Sequence, residues 1–127
     1  MNLAIERRDR FAIVTVSAEK LDGIISPELK AELVKLNGEG YKSMVLDLSN
    51  ARYCDSSGLS SILVGNRLCK NAGGSFVLCN LQDAVKKLVS ISQLDTILNI
   101  TPTLDEALDF LMMEEVERDL DPGTEEP

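Results

Sequence analysis

The chain has 127 residues, 44% of them hydrophobic, and a net charge of −8 from 13 basic and 21 acidic side chains, which fits one globular domain with a real core. Aromatic residues make up only 4% and tryptophan is absent, so Leu, Ile, Val and Ala have to build that core. The lack of any histidine excludes Ser-His-Asp and Cys-His catalysis, the HExxH zinc helix and histidine phosphorelay, and no apolar run reaches the roughly 18 residues that cross a bilayer.

Met1 to Arg8 lacks the basic-then-apolar order of a secretion signal, so a cytoplasmic location without membrane insertion is the expectation. Leu3-Ala4-Ile5 and Phe11 to Val16 read as two strands joined by the charged turn Arg7-Arg8-Asp9-Arg10. After the loop signal Asp22-Gly23, Ser26-Pro27 predicts a helix start with Ser26 as N-cap and Pro27 at the first helical position. Leu29, Leu33 and Leu36 give that helix an apolar stripe, and Asn37-Gly38-Glu39-Gly40 ends it.

Residues 43–49 are nearly all apolar, the pattern of a strand covered on both faces. A helix over 57–72 follows, closed by Gly73-Gly74, and Phe76 to Cys79 forms a second doubly buried strand. Gly65 in the middle of that helix implies either close packing or a flat contact face. Leu81, Val85, Leu88 and Val89 mark another helix, and 96–100 a short strand. Thr103-x-x-Glu106 is a capping box opening the last helix. The order β-β-α-β-α-β-α-β-α predicts an α/β fold with a mostly parallel central sheet of about five strands, flanked by about four helices.

Residues 1–113 form the expected domain. Residues 114–127 hold seven acids and one arginine, which predicts an acidic, disordered, solubilising tail. No Lys/Arg stripe interleaved with aromatics is present, so direct nucleic-acid binding is not expected. Cys54, Cys69 and Cys79 make no CxxC pair and read as small core hydrophobes rather than metal ligands, with a reactive Cys54 as the lesser alternative.

One stretch concentrates polar chemistry. A buried strand ends at Asp47-Leu48-Ser49, and Asp55-Ser56-Ser57-Gly58-Leu59 opens a helix. Such a loop lies at the carboxyl end of a strand, where α/β proteins place binding sites. Asp55, Ser56 and Ser57 are all N-cap residues, yet one helix needs one cap. A spare hydroxyl there sits at a helix end that favours negative charge. Gly58 would let a partner surface approach the backbone. Asp47 reads as a structural acceptor.

These residues, with Leu21-Asp22 before the first helix and Gly73-Gly74-x-Phe76-x-Leu78, make the chain resemble the STAS-domain family over roughly residues 3–112, and within it the anti-sigma factor antagonists. The resemblance implies a single STAS-like domain whose phosphorylated serine is Ser57. It further implies a GHKL-type serine kinase that is itself the anti-sigma factor, a PP2C-type phosphatase, and release of a sigma factor when the unphosphorylated form binds that kinase. It places interface residues at Asp22, Asp55, Ser56, Ser57 and Gly58, with no cofactor, no metal and no catalytic residue. Asp55 reads equally as a cap or as the group that orients Ser57, and Ser56 as a support for the turn. The family often has a glycine before its Glu-Leu-Asp run where this chain has Ser17 to Leu21, and it offers no counterpart to the acidic tail.

Two other functions compete. A cytosolic STAS subunit of an ABC-type lipid transporter would share the Ser-Gly turn. An enzyme with Ser57 as nucleophile lacks both a Gly-x-Ser-x-Gly elbow and a histidine base. Without a GxxxxGK loop, nucleotide binding is not expected either.

Overall fold

Leu3–Arg7 (β1) and Phe11–Val16 (β2) pair antiparallel, with Leu3 opposite Val16 and Arg7 opposite Ala12. These come from a computed structural model that describes residues 2–120. There follow Lys20–Leu21 (β3), Ser26–Gly38 (α1), Ser43–Asp47 (β4), Tyr53–Cys54 (β5) and Ser56–Asn71 (α2). Phe76–Cys79 (β6), Asp83–Ile91 (α3), a 3-10 turn at Leu94–Thr96, Asn99–Thr101 (β7) and Leu104–Leu120 (α4) complete the order. The main sheet runs β1-β2-β4-β6-β7, and every pairing after the first is parallel. The expected five-stranded, mostly parallel sheet with four helices is therefore present.

Alternation along each strand sends neighbouring side chains to opposite faces, and both faces are covered. On one side Val14, Met44, Leu46, Phe76 and Leu78 pack in one core with residues of α1, α2 and α3. On the other, Ile13, Val45, Val77 and Cys79 meet Ala107 and Leu111 of α4. This double cover is why β4 and β6 read as unbroken apolar runs. Gly65 is explained by packing: a Cβ there would stand 2.5 Å from the ring of the fully buried Phe76. All three cysteines are buried, and loss of water pushes each thiol up to about 12, so they act as small hydrophobes.

Three local expectations need correction. Ser26 does not cap α1; it is the first helical residue, and the loop is tied instead by Asp22. The last strand sits at Asn99–Thr101, because Leu94–Thr96 is consumed by the 3-10 turn. The boundary expected at residue 113 falls inside α4, which continues to Leu120. Arg10 pairs with Glu115 there, and Ser75 receives Arg118 and donates to Glu114. The rest of the expected tail, 121–127, lies outside the described residues. At the start of α4, Thr103 Oγ1 accepts from the backbone N–H of Glu106 at 3.2 Å, the first bond of the expected capping box, while the Glu106 carboxylate turns back to accept from the Thr103 hydroxyl at 3.0 Å in place of its backbone N–H.

Candidate functional site

β2 and β4 are parallel neighbours, so the loops leaving their carboxyl ends run side by side. Within those loops β3 and β5 form a separate two-stranded ribbon, with Lys20 opposite Tyr53 and Leu21 opposite Cys54. The Glu19 carbonyl accepts from the N–H groups of Arg52 and Tyr53 at 2.8 and 3.1 Å, and Leu21 O accepts from Asp55 N at 3.3 Å. Two stretches distant in sequence, Leu21-Asp22 and Cys54-Asp55, are thereby locked together. Two-residue strands carry no periodicity, so this ribbon has no sequence signal.

Each loop is closed by one aspartate. Asp22 Oδ1 accepts from Ile24 N at 3.0 Å and Ile25 N at 3.3 Å, while its carbonyl accepts from Ser26 N at 2.8 Å. Asp55 is the N-cap of α2, accepting from Gly58 N at 3.0 Å. With that cap occupied by a carboxylate, neither Ser56 nor Ser57 is needed for it. Ser56 is exposed and Ser57 half-buried.

The expected role of Gly58 as an open approach for a partner does not hold, because Gly58 is buried. A Cβ there would run into the Leu21 carbonyl oxygen and come within 2.5 Å of Cys54 Sγ. The close approach is made by the chain's own β3 loop. Cys54 is equally unavailable: its thiol donates to the Asp55 carbonyl at 3.4 Å, and burial together with the Asp55 charge holds it protonated. Asp47 is the structural acceptor expected, taking hydrogen bonds from Ser49 N at 3.0 Å and Asn80 Nδ2 at 3.2 Å.

Ser56 and Ser57 line an open cleft of about 280 Å³ between the starts of α1 and α2, together with Gly23, Ser26, Lys30 and Ser60. The Ser57 hydroxyl is thus not sealed in the core. In the two segments that lead into α1 and α2, two large apolar side chains are exposed: Ile24 at 82% and Tyr53 at 50%. Ile24 escapes sequence reasoning because Ile24-Ile25 reads as core, yet only Ile25 turns inward. A larger cleft of about 540 Å³, lined by Arg7, Arg10, Phe11 and Met112, lies by the β1–β2 turn, at the amino ends of the parallel strands and away from these residues. Among the described residues no cluster of acids and thiols could hold a metal ion, and no helix is long and apolar enough to cross a membrane.

The STAS domain family profile matches residues 2–107. The anti-sigma-B factor antagonist of Staphylococcus aureus is 30% identical over 103 residues, spanning 79% of this chain and 94% of that protein. A crystal structure of an anti-sigma factor antagonist from Mycobacterium paratuberculosis superposes with a TM-score of 0.78 at 24% identity, over 87% of this chain and 92% of that one. The anti-sigma factor antagonist SpoIIAA in its unphosphorylated form superposes with a TM-score of 0.74 at 20% identity, over 87% and 96% of the two chains. A profile spanning most of the chain, on a five-stranded sheet with the same architecture, places this chain in the STAS-domain family.

Proposed function

We propose that this chain is an anti-sigma factor antagonist controlled by phosphorylation of Ser57. One observation supports it above all: Asp55 takes the cap of α2, and the Ser57 hydroxyl is left at a helix start on an open cleft. The partner would be an anti-sigma factor serine kinase of the GHKL type. In its reaction the Ser57 Oγ–P bond forms as the γ-phosphoryl bond to ADP breaks, and the hydroxyl proton is released. A PP2C-type phosphatase would hydrolyse the product. Asp22, Asp55 and Ser56 frame the docking face, with Ile24 and Tyr53 as apolar anchors. The name of the S. aureus relative favours this reading over the transporter subunit.

The physics of the switch follows from charge. A phosphate adds about −1.5 to −2 charges at neutral pH. The positive end of α2 accepts it, so the domain stays folded. The docking face does not accept it as readily, since a dianion there must be desolvated or matched by a cation. Each like-charge contact at ~6 Å and an effective dielectric of ~20 costs ~3 kcal/mol before salt screening. That is about a hundredfold in affinity.

Incubation with the kinase and ATP, followed by intact-mass measurement, tests the assignment. The wild-type chain should gain one phosphate. Ser57→Ala should gain none while still binding the kinase, and should melt at the wild-type temperature because the cap is untouched. Full phosphate incorporation into Ser57→Ala would overturn the assignment.

A further inference from the structure

Lys30 is the single charged residue that lines the Ser57 cleft; the others are Gly23, Pro27, Ser26, Ser56, Ser57 and Ser60. No carboxylate takes part, although Asp22 and Asp55 stand in the adjoining loops. Two helices begin at its walls, α1 at Ser26 and α2 at Ser56, and both direct their positive ends there. Ser26 is the second, independent sign. It is only 2% exposed, yet its hydroxyl oxygen has no hydrogen-bond partner among the described residues. A buried hydroxyl without a partner is unusual and costly. Gly23 passes close beside Ser57: a Cβ there would stand 3.7 Å from Ser57 Oγ, in ordinary contact with it.

We propose that this cleft is a built-in phosphoryl seat: once Ser57 is phosphorylated, the Lys30 ammonium pairs with the phosphate and the Ser26 hydroxyl donates a hydrogen bond to it. The inference deepens the reading of Ser57 as the phosphorylated residue and rests on it. The phosphate then belongs to the domain's own surface. It is fixed between the two helix starts, where it blocks the docking face, instead of swinging free in solvent. Lys30 becomes a positioning residue for the modified state and has no part in the unmodified one.

The test installs phosphoserine at position 57 of the full chain during translation, so that no kinase is needed. The outcome is therefore independent of whether a kinase recognises the chain. Phosphorus NMR then follows the second ionisation of the phosphate. The groups facing it are Lys30 from α1, Asp22 from the β3–α1 loop and Asp55 from the β5–α2 loop. The two carboxylates are common to all variants, so differences report the cleft. Lys30→Met, which keeps the apolar stem, should raise that pKa by about 0.5 unit or more. Lys30→Arg should restore it, and Ser26→Ala should raise it by less. Ser26→Ala has no hydrogen bond to lose in the plain form and should stay folded. Identical phosphate pKa values in wild type, Lys30→Met and Ser26→Ala would overturn the proposal. A parallel titration of the plain chain with inorganic phosphate separates the sources. Saturable, Lys30-dependent shifts there, with no pKa difference in the phosphoserine proteins, would assign the cleft to a free anion and equally overturn it.

Discussion

Gly58 carries a demand that its position in the Asp-Ser-Ser-Gly turn conceals. Its missing side chain is the space into which Leu21 and Cys54 fit, so β3 can lie against the start of α2. Gly58→Ala forces the fixed Leu21 carbonyl to move and should cost about 1–3 kcal/mol, read as a lower urea midpoint. An unchanged midpoint would mean that the two loops are not packed this closely. Ser57 and Asp55 were legible in sequence, because a cap and a spare hydroxyl follow from local helix chemistry. Asp22 was legible as a turn former, but its capture of Ile24 N and Ile25 N displaced Ser26 from the cap expected there. Which of Ile24 and Ile25 faces outward depends on that same turn, and residue type alone does not determine it.

At the scale of elements, the strongly periodic or continuously apolar segments were readable to within a residue or two, since burial on one or both faces writes itself into hydrophobic spacing. The β3–β5 ribbon was not, because its existence follows from the adjacency of β2 and β4 in the sheet, a tertiary fact. The last turns of α4 were missed for a related reason. Acid-rich composition suggested disorder, yet Arg10 and Ser75 supply partners for Glu115, Glu114 and Arg118. The Arg10–Glu115 pair is exposed and the two contacts of Ser75 are partly buried, and exposed ion pairs are worth about 0–1 kcal/mol each. The buried residues of α4 are Ala107 and Leu111. Ending the chain after Met113 should therefore lower stability by about 1–2 kcal/mol without unfolding the domain. Loss of the cooperative melt would show that the distal turns carry more than surface pairing.

Taken whole, the molecule places α1, α2 and α3 on one face of the sheet and α4 on the other, and gathers its polar chemistry at the carboxyl ends of β2 and β4. The three cysteines span that body, one near the site and one in each core. Burial raises each thiol to about 12 in the folded chain, against an ordinary value near 9. A raised folded pKa gives stability that is complete below the unfolded value and is lost as pH rises toward the folded one. The urea midpoint should accordingly fall between pH 8 and about 11, and less so when Cys69 and Cys79 are both replaced by Ala, with each variant compared to its own midpoint at pH 7. An identical fall in the variant would remove the thiols from the account.

The affinity of the chain for the anti-sigma kinase proposed as its partner, measured by calorimetry with Ser57 plain and with Ser57 phosphorylated, addresses the proposed switch itself. The plain form should bind, the phosphorylated form about a hundredfold more weakly, and Ser57→Asp between the two. Equal affinity of the plain and phosphorylated forms would contradict the account.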